Sequence, residues 1–419
     1  MRRKPDPIRS LGFTLVEIMI ALLIGVIGIV VMMQTFAVSE GFKRTATSGT
    51  DAQINGSIAL YLLQRELRLA GFGMNNLMIQ GCPSVRVWNN ASGTGMDLHL
   101  VPIEINPASI PAGDANTDTL LVAYGNSASF VAGIPVSTVQ GGGVGVPTAP
   151  FPLASNWDSF QTGDLFVSFM PTGGPGGTPS CVMHEATATT NPATNCGFTP
   201  ATAATVEHKT TAYQQQMPTG CVNTVPKFNS ATGITDSTGA VVPALNYPNG
   251  LVFDLGNLTL HVYAIRNGSL TMCDWVASDC TSVANYTTAV DDIVSLRAVY
   301  GMNLTPTVNQ LQGDGTVTWN RNSLTTNVFL PSRVLAVSLE VTARSGLKEK
   351  YNAAGVCTTT PNANKPDLSQ TWLWDSMAGA NIDLHLSAPP TSMAPTDWQC
   401  YRYKLFQTNV PIRNNIWRP

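Results

Sequence analysis

The chain has 419 residues, enough for one large domain or two smaller ones. Its 23 basic and 26 acidic residues leave a net charge of −3, which excludes a basic nucleic-acid-binding surface as the default, and a charged share of only 12% excludes disorder of the highly charged type. The 36 Gly and 28 Pro point to many turns and long loops rather than a helical bundle, and the eight cysteines hold no C-x-x-C pair, which argues against zinc ribbons and thioredoxin-type redox sites.

The first twelve residues carry Arg2, Arg3, Lys4 and Arg9 against Asp6. From Ile18 to Val38 there follow 21 residues without a charge. As a helix this run spans roughly 31 Å, the thickness of a bilayer core. The basic flank stays in the cytoplasm by the positive-inside rule, which places the rest of the chain outside the inner membrane. A cleaved secretory signal fits poorly, because the apolar run is too long and no A-x-A site follows it. Glu17 lies inside the apolar segment, near its start. A lone carboxylate at the bilayer centre costs about 2.5–3.5 kcal/mol, so Glu17 calls for a partner or a place among headgroups.

The helix is expected to continue past the bilayer, from about residue 13 to 70, with 13–38 in the membrane and soft points at Gly25, Gly28, Gly41 and Gly49. Ile54, Ile58, Tyr61, Leu62, Arg65 and Leu69 recur at three- and four-residue spacings and predict the stripe that packs on a sheet, interrupted by Arg65. Gln64, Glu66 and Arg68 are assigned to the polar face. Gly71 and Gly73 end the helix.

After Gly73 the pattern turns to short strands. Expected strands cover 118–124, 163–169, 258–265, 269–272, 293–300, 333–342 and 401–410, with Asn267-Gly268 as a two-residue hairpin turn. Residues 131–152, 171–179 and 201–249 read as turn-rich loops. An even cysteine set outside the cytoplasm reads as disulfides. Proximity favours Cys273–Cys280 after the hairpin, then Cys357–Cys400 tying the last strand to a long loop, then Cys181–Cys196.

The segment Gly12-Phe13-Thr14-Leu15-Val16-Glu17, followed by the apolar run, resembles the prepilin processing motif of type IV pilins and type II secretion pseudopilins. The resemblance implies cleavage between Gly12 and Phe13 by a prepilin peptidase and N-methylation of Phe13. Glu17 becomes the fifth residue of the mature chain. It would pair with the N-terminal amine of a neighbouring subunit and set axial register.

Further landmarks are similar to the PilW minor pilins: the helix end from Arg65 to Phe72, the hairpin from Tyr263 to Gly268, Val290 to Val294 leading to Arg297 to Gly301, Val334 to Ser345, Tyr401-Arg402, and Val410 to Asn414. The resemblance covers both ends and much of the second half, and 130–250 is not distinctive. Gly313-Asp314-Gly315 is a short form of an Asp/Gly-rich turn found in that group, too poor in carboxylates to bind calcium alone. The implied fold is α+β, a long N-terminal helix packed on an antiparallel β-sheet domain with long loops. The implied organisation is a leader over 1–12, a helix over 13–70 and an extracytoplasmic head over 71–419.

The sequence holds no G-x-S-x-G elbow, no P-loop and no G-x-G-x-x-G opening a helix. His184-Glu185 lacks the second His of a zinc-protease helix and reads as a strand-end pair. His261, in an alternating strand, reads as a structural or surface histidine. Asp291-Asp292 could pair as acid and base, or hold a cation with Asp314, but a solvated turn is the expectation. Trp372 and Trp374 could form a ligand platform, against which stands ordinary burial. Arg402, Lys404, Arg413 and Arg418 near the C-terminus fit an edge strand protected by positive charge, with a docking edge for an acidic neighbour or for polyanions such as DNA as the sharper alternative.

These readings predict a minor pilin of a type IV pilus without catalysis, cofactor or metal. It would wait in the inner membrane and then prime pilus assembly at or near the tip, supporting twitching and adhesion. Its expected partners are other minor pilins, the major pilin, the prepilin peptidase and a large tip adhesin of the PilC/PilY type, with nucleic acid not expected. The alternatives are a J-like type II secretion pseudopilin and a pilin-anchored adhesin.

Overall fold

The computed structural model describes residues 12, 14–74, 85–89, 94–114, 117–127, 133–136, 150–154, 160–170, 180–189, 205–217, 219–230, 250–302, 317–320, 334–349, 351, 355–357, 359 and 397–416. Phe13, Cys82, Cys196, Asp314, Trp372, Trp374, Arg418 and the expected leader up to residue 11 lie outside the described residues.

One helix, α1 (Leu15–Leu69), comes first. The strands follow as β1 (Val85–Asn89), β2 (Thr94–Leu98), β3 (Ile103–Ile105), β4 (Leu120–Tyr124), β5 (Ile134–Pro135), β6 (Phe151–Pro152), β7 (Leu165–Met170), β8 (Ser180–Glu185), β9 (Ala188–Thr189) and β10 (Thr205–Glu207). Then come β11 (Tyr213–Met217), β12 (Gly220–Thr224), β13 (Leu251–Gly256), β14 (Thr259–Arg266), β15 (Ser269–Asp274), β16 (Thr287–Val290), β17 (Ile293–Met302), β18 (Thr318–Asn320), β19 (Val334–Arg344) and β20 (Tyr403–Pro411), with a last short helix α2 (Arg413–Ile416).

The α+β expectation holds in its coarse form, an apolar N-terminal helix followed by mostly β structure. The β structure is divided among several small sheets. Among the described residues there are five sheets, of six (β2-β1-β8-β7-β13-β5), five (β16-β15-β14-β4-β3), four (β18-β17-β19-β20), three (β6-β10-β9) and two strands (β11-β12). The pairing of β1 with β8 is parallel. Short strands also occur where turn-rich loops were expected: β5 and β6 within 131–152, and β10, β11 and β12 within 201–249.

The layers follow from strand alternation. In β4, Leu120 and Val122 point into a core shared with α1 and the four-stranded sheet, while Leu121 and Ala123 point into a second core against the six-stranded sheet. Strand β14 divides likewise, with Tyr263 and Ile265 on one side and Leu260 and Val262 on the other. A third, smaller core lies beyond the six-stranded sheet, where Phe166 and Val252 meet Phe151 and Val206 of the three-stranded sheet.

The second half of α1 buries Ala52, Gly56, Ala59, Leu63, Glu66, Leu67 and Ala70, a three- and four-residue spacing. This corrects the expected packing stripe. Ile54, Ile58, Tyr61, Arg65 and Leu69 face outward, Leu62 is half-buried, and Glu66, assigned to the polar face, is buried. Small residues win the inward face because they bring the helix close to the sheet. At Gly56 an added Cβ would collide with the ring of Phe406 on β20. In an exposed helix Gly→Ala gains about 1 kcal/mol. Here Gly56→Ala should cost about 1–2 kcal/mol through overpacking, and Phe406→Leu in the same chain should recover part of it. Urea denaturation of the three variants checks this; a stabilised Gly56→Ala counts against the socket.

The end of α1 is wired into the sheet. Gly71 takes φ 77° and donates its N–H to the Ala123 carbonyl at 2.9 Å, and Gly125 donates to the Phe72 carbonyl at 2.7 Å. Asn414 of α2 donates from Nδ2 to the carbonyls of Leu69 (3.3 Å) and Ala70 (3.0 Å), capping acceptors the helix cannot satisfy itself. The expected hairpin turn is present between β14 and β15. Asn267 and Gly268 both have positive φ (52° and 72°), the type I′ geometry, and their N–H groups donate to the Asp114 carboxylate at 3.1 and 2.9 Å.

Candidate functional site: the two faces of the long helix

The apolar half of α1 leaves the head without support. Leu15–Lys43 is long and apolar enough to cross a membrane, and its large apolar side chains are exposed from Leu15 to Phe42. Thr35 is the polar hydroxyl in the middle of this span. It donates to its own backbone, to the carbonyls of Val31 (3.1 Å) and Met32 (2.8 Å), so this hydroxyl is not left open to lipid.

Thr14 caps the helix. Its Oγ1 accepts the Glu17 N–H at 3.3 Å, and the Glu17 carboxylate accepts the N–H and the hydroxyl of Thr14, each at 2.9 Å. This is a capping box. Glu17 therefore folds back on the first turn, and Gly12 stands exposed just before it.

Past the span, the outward stripe is the second feature. Ile54, Ile58, Tyr61 and Leu69 are 51%, 45%, 64% and 43% exposed. Sequence periodicity found this stripe and gave it the wrong side. The helix thus has two apolar faces in its second half, one against the head and one uncovered.

Glu66 anchors the inward face. Its carboxylate lies 3.0 Å from His261 Nδ1 and 3.2 Å from Arg65 Nη2, and it accepts the Tyr124 hydroxyl at 3.1 Å. Burial alone would raise the Glu66 carboxyl; the hydrogen bond and charge of His261, with the bonds from Arg65 and Tyr124, outweigh it and hold the group below its ordinary value. A depressed carboxyl stabilises the fold above its unfolded pKa and loses that contribution as pH falls through the folded one. Glu66→Gln should therefore cost about 2 kcal/mol at pH 7. The gap to wild type should close as pH falls below about 4.5, the group's ordinary value. Urea midpoints from pH 7 to pH 3 check this, and a pH-independent gap would sink it. His261 is thus a structural histidine tied to α1.

The other candidates among the described residues sit in structural contacts. His184 is fully buried, with Nε2 3.0 Å from Ser168 Oγ, packed between the rings of Phe166 and His208. Burial, then His208, holds it well below the usual histidine value. Glu185 accepts the Tyr213 hydroxyl at 2.6 Å and the Lys227 N–H at 2.7 Å. Asp292 sits in a turn at φ 56° and is clamped by Arg344 at 2.8 Å, while Asp291 accepts from Ser269. Among the described residues, no group of three or more His, Cys, Asp or Glu is placed to hold a metal.

Strand β20 is an edge strand, as the basic C-terminus suggested. Arg402 is bonded to Glu349 (3.0 Å) and Lys404 to Gln53 (2.6 Å), so both are engaged within their own chain. Cys273 is bonded to Cys280 and Cys357 to Cys400. Cys181 and Cys221 are also disulfide-bonded.

Sequence reasoning missed the buried carboxyls Asp164 and Asp254. Asp164 is pushed up to about 7 by burial and by Asp254. It accepts the Gln161 N–H at 2.6 Å, and Asp254 accepts the Ser127 hydroxyl at 2.6 Å. No pattern marks either in the sequence. A search of protein-family models, of curated proteins and of solved structures finds no match to this chain.

Proposed function

We propose that the chain is a minor subunit of a type IV pilus, a pilin-like α+β protein held in the inner membrane by α1 until it joins other pilins. The observation that supports this best is the second apolar face of α1. A helix that only anchored a head would need one apolar span and one face for the head. This one carries a further stripe, Ile54, Ile58, Tyr61 and Leu69, that its own head leaves in water. Neighbouring long helices of the same kind would cover it, in the membrane or in a filament.

In this reading a prepilin peptidase cuts between Gly12 and Phe13. Glu17 then trades its capping bonds for the amine of a neighbour, a paired charge in apolar surroundings. The partners are other minor pilins, the major pilin and a tip adhesin of the PilC/PilY type. The protein's work is binding and geometry.

A deletion strain tests the reading against the J-like pseudopilin. Surface pili are counted by electron microscopy and type II secretion is assayed in the same cells. Lost pili with normal secretion are expected, restored by wild type and not by Gly12→Val. Glu17→Ala should also fail to restore pili. Normal pili with lost secretion would move the protein to the secretion system, and both normal would leave the pilin-anchored adhesin.

A further inference from the structure

Between the apolar half of α1 and its first buried position lies a stretch unlike either flank. The apolar span ends at Lys43, and Ala52 is the first fully buried residue of the helix. After Lys43 and Arg44 run Thr45-Ala46-Thr47-Ser48-Gly49-Thr50-Asp51. Of these only Ala46 is a strong helix former. Thr loses side-chain freedom in a helix, Ser and Asp compete for the backbone, and Gly adds backbone entropy. The adjoining residues differ in support rather than in propensity: Asn55-Gly56-Ser57 downstream are weak helix formers too, but Gly56 is seated on Phe406, and the strong formers Ala59-Leu60-Tyr61-Leu62-Leu63-Gln64-Arg65-Glu66-Leu67 follow.

Packing does not make up the deficit. Among the described side chains of this stretch, those of 46, 47 and 49–51, no hydrogen bond or ion pair reaches the head. Thr50 Oγ1 donates instead to the Ala46 carbonyl at 2.9 Å, a back-bond of the kind that bends helices. A Cβ at Gly49 would meet nothing within 4 Å, so close approach does not explain this glycine. One turn on, the contrast is sharp: Lys404 holds Gln53, and Gly56 seats Phe406. Tertiary packing is what normally holds a weak helix. Neither bilayer nor head supplies it here, and the stretch is about 10 Å long.

We propose that residues 45–51 are a joint, a stretch of α1 that opens and re-forms readily so that the head swings against the membrane-crossing half while both stay folded. The inference rests on the membrane-anchor part of the reading above and not on its pilus part. A swinging head lets the outward stripe of α1 meet a neighbour over a range of orientations while the first half is still held in lipid.

Hydrogen–deuterium exchange on the full-length chain, reconstituted in phosphatidylcholine–phosphatidylglycerol vesicles, tests it. Amides of 45–51 should exchange at least about tenfold faster than those of 57–63. The variant Thr45→Ala/Thr47→Ala/Ser48→Ala/Gly49→Ala/Thr50→Ala should slow exchange there by about tenfold or more and leave the head unchanged. Gly49→Ala alone should give a smaller slowing in the same place. Equal protection across 45–63 in wild type, or no slowing in the five-residue variant, overturns the joint. Failure of the chain to float with the vesicles overturns the anchor and the joint together, which keeps the two failures apart.

Discussion

Replacing Cys357 and Cys400 together by Ala should lower the unfolding free energy by about 4 kcal/mol, and the same change at Cys273 and Cys280 by about 2.5 kcal/mol. The difference comes from the unfolded chain. The first bridge closes a sequence separation of 43 residues and the second one of 7, and a longer closed loop removes more freedom from the unfolded state. What the long bridge holds in place also differs. Cys400 leads directly into β20, which pairs with β19 from Ala336 to Arg344. The same strand puts Phe406 against Gly56, and α2 behind it caps the end of α1 through Asn414. The segment after Cys400 is therefore the strap that fastens the helix to the head. Urea denaturation of the two double variants under oxidising conditions reads the difference. Equal losses would mean that loop closure does not set the contribution of these bridges.

The long helix was legible in the sequence because its causes are local. An uncharged run of 21 residues and a Gly pair at 71 and 73 bracket it, and the observed bounds, Leu15–Leu69, lie within two residues of those expected. Its facing was not legible. Counting large apolar residues selects Ile54, Ile58 and Tyr61, but the inward face belongs to Ala52, Gly56, Ala59 and Ala70, because close approach to the sheet outweighs side-chain size there. The strands that alternate, β14 and β15 with their Asn267-Gly268 turn, read clearly, as did β17 and β19. Strand β8 did not: Cys181, Val182, Met183, His184 and Glu185 are all buried, so no period of two survives. Buried polar groups such as Glu66, Asp164 and Asp254 look like surface residues until their partners, far off in sequence, are known. The apolar stripe was found in the sequence. Its facing was hidden because side-chain size does not tell which of two apolar faces the head covers.

That outward face carries the largest functional prediction. Ile58→Asp/Tyr61→Asp should cost the fold no more than about 1 kcal/mol, since Tyr61 is 64% and Ile58 45% exposed. Leu63→Ala, on the inward face and fully buried, should by contrast cost about 2–5 kcal/mol. Assembly should respond in the opposite order. Burying an apolar side chain of this size stabilises by roughly 1.5–3 kcal/mol, so losing two and adding two carboxylates should cut incorporation into pili at least about 100-fold. Urea midpoints and pilus counts on the same pair of variants separate the faces: a folded chain that no longer assembles locates the neighbour on the Ile58–Tyr61 side. Full piliation by the double Asp variant would mean that no neighbouring helix uses this stripe. The second apolar face would then need another cover, and the filament reading would lose the observation that supports it best.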